Sequence, residues 1–401
     1  MNVLQTLAGS QLVGPAGPHS DFDAAEYDRR RAALREVMQR EGLDAVLINN
    51  RYTHRYFSGH ITNLWTNRSR PIFSVFTASG ESYAVAVGWE GRRVVNTASD
   101  LVLVPYGGSG MDAEPSLEAV RDILVSTVGE NVRIGYEGSL WTSYEITEAE
   151  MLSLRSKLPK ATFLEISTQL ALVRMRKSEG EVQALRQAAA INSAAFDTIY
   201  TPTARGLTEG DIYRKMSAAL FEAGSEEIYF MILNKGDSAR QFSVDNPVIF
   251  LDSGAVYKGY ASDFNRYMTW GKAPAKLTDP LTRLKEVAEV IYEEVRPGRT
   301  WKEANQAVYT RSIKILPELA TSGTNIGKFG HGIGLQMPEL PYLSDDDNTE
   351  ILEGTVMCIE PSLRHDDMGY LTSVTCEEMV VVRSHGCELL SDGKGAEVRE
   401  V

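Results

Sequence analysis

Cysteine is scarce in this chain, which carries only Cys358, Cys376 and Cys387 among its 401 residues. Small secreted scaffolds that depend on disulfides use an even number of cysteines at regular spacings, and this chain has neither feature. The scarcity therefore argues against an extracellular disulfide scaffold. We expect free thiols and a reducing, cytoplasmic compartment.

Positive charge is also in short supply. Lys and Arg total 41 against 54 Asp and Glu, which gives a formal net charge of −13. Proteins that bind nucleic acid neutralise phosphates with basic side chains, so this balance argues against nucleic acid as a partner. The sequence has no uninterrupted apolar run of about eighteen residues, and its first twenty residues lack the pattern of a secretory signal. We therefore expect no membrane partner.

The chain is long enough for two domains, and a hydrophobic content of 43% predicts a sizeable core. Residues 1–22 are rich in glycine and proline and predict a flexible arm. Residues 23–170 alternate helical and strand patterns and predict an α/β domain. In residues 171–401, Ser178 and Glu181 form an S-x-x-E capping box ahead of a long helix. Helices beside strands of antiparallel type predict an α+β fold for this half.

Two aspartates lie on neighbouring predicted strands of the second half. Asp252 ends the apolar run VIFLD, Asp263 lies on the next strand, and Gly254 and Gly259 permit a tight return between them. The two acids can therefore face each other. An aspartate at a strand end is equally often a turn or cap residue, so this segment alone leaves both interpretations open.

Three further residues could bind a metal with this pair. His331 lies in FGHGIGL, where glycines remove neighbouring side chains, although a glycine-flanked histidine is more often a turn residue. Glu360 in VMCIEPSL and Glu377 in SVTCEEMVVV interrupt runs that are otherwise typical of buried strands. A buried carboxylate is expelled, neutralised or bound to a cation, and the alternative is a strand-edge acid that faces water. Cys358 shares a strand face with Glu360 and can lie near it, while Cys376 should point away.

Four carboxylates and one imidazole suit ions such as Mn, Co, Zn or Fe(II), and the chain has too few thiolates for a structural zinc site. With four carboxylates, two ions are favoured over one. Two ions about 3.5–4 Å apart can share a bridging water, lower its pKa towards neutrality and stabilise charge on an attacked carbonyl.

These segments resemble the pita-bread metallopeptidase family of aminopeptidase P, prolidase and creatinase. The motifs occur in family order: LDSG with Asp252, GYASDFNR with Asp263, GHGIG with His331, IEP with Glu360 and CEE with Glu377. The first 165 residues resemble the creatinase-type N-terminal domain, so the resemblance covers nearly the whole chain. It implies a creatinase-type N-terminal α/β domain, a pita-bread catalytic domain, a dinuclear site with Mn as the favoured ion, and a homodimer.

The chain departs from the family at two histidines that handle protons and position substrate in its proline-directed members. Gln241 and Phe242 stand near the upstream position, and Pro338 occupies the downstream position. His365, in RHDDMGY, is the one histidine of this half that could replace them as a catalytic group. The alternative, a histidine in a solvated loop, is the commoner case.

Three other residues are candidates for substrate binding. Arg266 could hold a substrate carboxylate or only orient a ligand acid, and the second use is commoner. Tyr260 could donate a hydrogen bond, although a tyrosine in a half-buried strand more often packs. His54, with nearby His60 in RYTHRYFSGH, could reach a partner subunit's pocket, although such aromatic segments usually belong to a core.

The leading hypothesis is a metal-dependent hydrolase of the Xaa-Pro peptidase type that cleaves an amide C–N bond in a small substrate such as a dipeptide. A metal-bridging water is the expected nucleophile, and Glu360 is the expected proton acceptor. A first alternative is an enzyme with the same metal site that hydrolyses a small charged metabolite or acts on it as a lyase, because one fold can host several chemistries. A second alternative is a binding protein that has lost catalysis.

Overall fold

The computed structural model describes residues 9–108, 113–139, 144–234, 236, 239, 242, 247–320, 328–364, 371 and 373–401. The chain divides into two compact units, Met1–Val173 and Arg174–Val401. Among the helices in the described ranges, none combines the length and the apolar character that a membrane crossing requires.

The first unit is an α/β domain. Its elements in chain order are β1 Gln11–Val13, α1 Ala24–Glu41, β2 Ala45–Ile48, α2 Arg51–Ser58, β3 Phe73–Thr77, β4 Ser82–Val87, α3 Gly91–Thr97, β5 Leu101–Tyr106, α4 Glu114–Thr127, β6 Arg133–Tyr136, α5 Glu148–Lys157 and β7 Thr162–Glu165. The strands form one mixed sheet in the order β1-β5-β4-β3-β2-β6-β7. Strands β2, β3 and β4 are buried along their whole length, as expected for central strands whose two faces are both covered.

The start of the chain differs from the predicted arm. Strand β1 pairs antiparallel with β5, with Leu12 opposite Val102. Val13 is buried in a small cluster with Val94 and Leu103. Residues 11–13 thus form an edge strand of the first unit, because burial of the Val13 side chain stabilises this short segment.

Within its described residues, the second unit contains four long helices and two larger sheets. Its elements, after α6 Ser167–Met175 at the boundary, are α7 Glu179–Ile199, α8 Glu209–Glu222, β8 Ile228–Leu233, β9 Val248–Tyr257, β10 Tyr260–Ala261, β11 Phe264–Thr269, α9 Ala275–Glu294, α10 Trp301–Ile315, β12 Lys328–Gly332, β13 Glu339–Ser344, β14 Val356–Ile359, β15 Ser362–Arg364, β16 Ser373–Thr375, β17 Glu378–Arg383, β18 Gly386–Leu389 and β19 Val398–Glu400.

The two sheets have mainly antiparallel pairing. One has the order β10-β9-β11-β19 with β8 also on β9, the other has the order β13-β12-β14-β17-β18, and β15 pairs with β16. Side chains cap two of the helices as the sequence indicates, since Ser178 with Glu181 begins α7 and Thr300 with Glu303 begins α10. The α+β class predicted for this half is confirmed.

Glu339, a buried acid at the start of β13, forms ion pairs with two basic side chains. Glu339 Oε1 accepts from Lys177 Nζ at 2.6 Å, and Glu339 Oε2 accepts from Arg174 Nη2 at 3.1 Å. All three side chains are at most 4% exposed. Pro338, which stands where a histidine was expected, directly precedes Glu339. It therefore adjoins a buried ion-pair cluster that stabilises the fold.

Glu339→Ala is expected to lower the free energy of unfolding by about 3–5 kcal/mol, because it leaves two buried cations without their partner. Urea denaturation at neutral pH measures the change. Glu339→Gln is the matched control and should lose less, since its amide oxygen still accepts a hydrogen bond. Equal stability of Glu339→Ala and the wild type would contradict the assignment.

Candidate metal centre

The first sheet of the second unit carries the two aspartates. Asp252 lies within β9, opposite Asn265 of β11, and Asp263 immediately precedes β11. A Cβ built at Gly254 would lie 2.6 Å from the Ser262 carbonyl oxygen. Glycine is therefore required where β9 passes residue 262, and this close approach holds the two acids near each other as the sequence suggests.

The second sheet carries the other three predicted ligands. His331 lies on β12, Glu360 directly follows β14, and Glu377 directly precedes β17. The glycines around His331 have a different role from the one expected. A Cβ at Gly330 would lie 2.3 Å from the Cys358 carbonyl oxygen, and one at Gly332 would lie 2.4 Å from that of Leu340. They allow the neighbouring backbones to approach β12.

The donor atoms of these segments converge at one place. Asp263 Oδ2 lies 3.4 Å from His331 Nε2, and Glu360 Oε1 lies 3.9 Å from the same nitrogen. One donor atom from each of four residues falls within 4.8 Å of the others, and these residues are Asp263, His331, Cys358 and Glu377. The geometry therefore brings a thiol into the group, as the strand alternation around Glu360 allowed.

The acids of the centre repel one another and are poorly solvated. Burial, followed by the charges of Asp263 and Glu360, raises the pKa of Asp252 well above its ordinary value. Burial, followed by the charges of Asp252 and Asp263, does the same to the pKa of Glu377. Burial raises the pKa of Glu360 as well, although His331 opposes the rise. All five predicted ligands thus share one electrostatic environment.

A cation fits this donor set. Within the described residues the imidazole of His331 is a positive group that contacts these acids: burial lowers the pKa of His331, but the hydrogen bond to Asp263 and the nearby carboxylates raise it to about 9. Asp252 Oδ1 is buried and accepts no hydrogen bond from the described residues. A set of carboxylate oxygens and one imidazole nitrogen in a strongly negative pocket suits borderline divalent ions.

Arg266 does not face the centre as a substrate anchor. Its guanidinium pairs with Glu378 at 3.0 Å and with Asp392, and it also donates to the Glu377 carbonyl oxygen at 3.3 Å. The residue is 5% exposed. The expected role in substrate binding is therefore corrected to the alternative one, in which Arg266 orients the segment that carries Glu377, because its charge is already neutralised by buried acids.

The structure also corrects two other substrate-binding candidates. Tyr260 is buried and donates to Glu181 Oε1 at 2.7 Å, so its hydroxyl serves packing within the unit. His54 is fully buried in the first unit, where its ring contacts His60 at 3.0 Å and Ser74 at 2.8 Å. A side chain so enclosed cannot reach a second subunit. His365 lies outside the described residues.

One residue near the centre was not singled out from the sequence. Tyr342 pairs with His331 across β12 and β13, with ring centroids 6.5 Å apart. Burial and the charge of Glu360 raise its pKa to about 12. The segment ELPYLS contains no motif that marks this tyrosine, and only the register between the two strands places it beside the imidazole.

Fold and site together define a class. A two-unit chain whose second unit gathers four carboxylates and an imidazole has the features of the metal-dependent hydrolases. The sequence profile of Metallopeptidase family M24 matches residues 183–384, and that of the creatinase/prolidase N-terminal domain matches residues 30–176. The chain belongs to metallopeptidase family M24, which confirms the resemblance, and membership implies divalent metal ions.

Individual relatives have low sequence identity to this chain, but they align with most of its length. An Xaa-Pro dipeptidase from Lactobacillus delbrueckii subsp. lactis is 22% identical over 358 residues, 84% of this chain and 93% of its own length. An Xaa-Pro dipeptidase from Pyrococcus furiosus is 26% identical over 267 residues, 64% of this chain and 73% of its own length. The dipeptidase PepE from Mycobacterium ulcerans has the same fold, with a TM-score of 0.76 at 23% identity, covering 95% of this chain and 100% of that one.

Glu377→Gln is expected to stabilise the metal-free protein at pH 8. A carboxyl group whose pKa is raised in the folded state binds a proton more readily when folded. The charged acids therefore lower the free energy of unfolding most at high pH, and this destabilisation decreases as pH falls. The gain should be at least about 1 kcal/mol at pH 8, since one pKa unit corresponds to about 1.4 kcal/mol. Denaturation of chelator-treated protein from pH 8 to pH 5 measures it. A gain that grows as pH falls would contradict the prediction.

Proposed function

We propose that this chain is a dinuclear metallopeptidase of the Xaa-Pro type, which hydrolyses the amide C–N bond of a dipeptide or similarly small substrate. The observation that carries the proposal is the gathering of four acids around one imidazole, in which burial and mutual repulsion raise the pKa values of Asp252 and Glu377. Asp252, Asp263, His331, Glu360 and Glu377 are the proposed ligands.

Two ions are favoured because the donors fall into two groups. His331 and Glu360 lie on one side, 3.9 Å apart, and Asp252 lies on β9 of the other sheet. Asp263 and Glu377 interact with both groups: Asp263 contacts His331 and raises the pKa of Asp252, and Asp252 together with Glu360 raises the pKa of Glu377. Acids that interact with both sides are suited to bridging two cations.

Glu360 is the proposed proton acceptor. Its side chain is 34% exposed, whereas those of His331 and Asp263 are 12% and 4% exposed, so Glu360 is the most accessible of these three residues. Bound ions supply an acidified water and stabilise negative charge on the substrate carbonyl oxygen. Glu360 Oε1 would take a proton from the water that attacks the carbonyl carbon and pass it to the leaving nitrogen, since burial raises its pKa.

A second candidate function has its own support. Pro338 has no proton to transfer, and Phe242 is buried against Trp270 with ring centroids 5.7 Å apart. Gln241 lies outside the described residues. A chain without the usual proton carriers is suited to a substrate whose leaving group needs less assistance, such as a small charged metabolite.

The remaining expectations stay predictions: Mn as the ion in the cell with Zn, Co or Fe as alternatives, a homodimer, and a cytoplasmic location. The hypothesis of a binding protein without catalysis is disfavoured by a complete set of ligand side chains, because a binding role does not require four mutually repelling buried acids.

The peptidase is tested with a panel of Xaa-Pro dipeptides, assayed with Mn, Co or Zn added after metal-free purification. We expect turnover of at least one dipeptide, and a loss of kcat/KM of at least about 100-fold in Asp263→Ala, beyond the range for residues that only orient a ligand. The same preparations are assayed with small guanidino and betaine-type metabolites.

Turnover of a metabolite without turnover of any dipeptide would replace the first function by the second. Metal retention without turnover of either class would favour the binding protein. Wild-type activity in Asp263→Ala would contradict both hydrolytic proposals.

The two-ion assignment is tested by stoichiometry. Wild type is expected to bind two Mn or Co ions per chain in equilibrium dialysis followed by elemental analysis. Asp252→Asn should bind one, because the change removes a charged ligand from one side of the site only. An unchanged count in Asp252→Asn, or one ion in the wild type, would contradict the dinuclear proposal.

A further inference from the structure

Cys358 occupies a central place beside the metal ligands. It lies in the middle of β14, opposite His331 on β12 and Met379 on β17. The residue is fully buried. Because side chains alternate along a strand, Cys358 points to the same side as Glu360, two positions further on. Its sulfur therefore faces the carboxylates rather than the apolar core.

The distances allow this sulfur to join the coordination sphere. Cys358 Sγ belongs to the group of atoms that lie within 4.8 Å of one another, with donors from Asp263, His331 and Glu377. Ligand atoms bound to one zinc ion at about 2.0–2.3 Å in tetrahedral geometry are about 3.3–3.8 Å apart. A contraction of the longest separations by about 1 Å would place the sulfur on a shared ion.

The other two cysteines have different surroundings. Cys376 packs in the apolar cluster that contains Trp301 and Leu284. Cys387 is near the Val295 carbonyl oxygen, 3.5 Å from its sulfur. Burial alone explains both as small apolar residues. At Cys358 the sulfur instead lies within 4.8 Å of donor atoms of Asp263, His331 and Glu377, a group whose acids attract a cation.

We propose that Cys358 is a sulfur ligand of the metal centre and biases it towards thiophilic divalent ions, such as Zn²⁺, Co²⁺ and Cd²⁺, over Mn²⁺. The inference rests on the proposed metal centre and changes the ion expected there. A metal–sulfur bond forms as the S–H bond breaks, and the proton leaves to solvent by way of a neighbouring carboxylate. A thiolate is the soft donor that an all-carboxylate and imidazole set lacks, and soft donors discriminate against manganese.

The test is the absorption spectrum of protein loaded with Co²⁺ or Cd²⁺. Wild type is expected to show a near-ultraviolet thiolate-to-metal charge-transfer band. The band should persist in the double variant Cys376→Ser/Cys387→Ser, which keeps Cys358 as its single thiol. It should vanish in Cys358→Ser, and the preference for Zn²⁺ over Mn²⁺ in competition dialysis should fall at least about tenfold.

The outcomes separate the sulfur ligand from the metal centre itself. Metal-loaded wild type without a charge-transfer band, or a band that survives in Cys358→Ser, would overturn the sulfur ligand and leave the metal centre in place. Failure of the wild type to retain any ion would overturn both. Should Cys358→Ser fail to fold, the band in the double variant still assigns the sulfur, because a single thiol remains.

Discussion

Repulsion among four buried carboxylates is the constraint on which the second unit depends. Burial and neighbouring acids raise the pKa values of Asp252 and Glu377, and burial together with the charge of Asp263 raises that of Glu360. One imidazole cannot compensate four acids. Arg266 stands behind Glu377, but its charge is already balanced by other acids. The remaining compensation must come from cations, so the same feature that weakens the metal-free fold creates the affinity on which hydrolysis depends.

The sequence was informative wherever a local pattern decides the structure. Acids that interrupt apolar runs marked the ligand strands, because a carboxylate in such a run needs a special reason to be there. The capping box of Ser178 and Glu181 located the start of α7. Helix α9 begins at Ala275 and contains Pro280 in its second turn, where the proline removes one hydrogen bond without stopping the helix.

Long-range pairing could not be predicted in the same way. Arg266 finds Glu378 and Asp392 more than a hundred positions along the chain, and Tyr260 finds Glu181 on a helix that precedes its strand by a long segment. No periodicity encodes such partners. The role of Tyr342 likewise depends on a strand register that includes an irregularity between His331 and Gly332. Side chains that act through distant neighbours therefore looked like candidates for substrate binding until their surroundings were known.

The distribution of the ligands over two sheets has a mechanical consequence. Asp252 and Asp263 belong to the β9–β11 sheet, whereas His331, Glu360 and Glu377 belong to the sheet around β12, β14 and β17. An ion held by both sets would link the two sheets, in addition to the ion pair between Arg266 of β11 and Glu378 of β17 that already joins them. Metal binding and folding are then thermodynamically linked, so a chelator that removes the ions should lower the stability of the second unit as well as its activity.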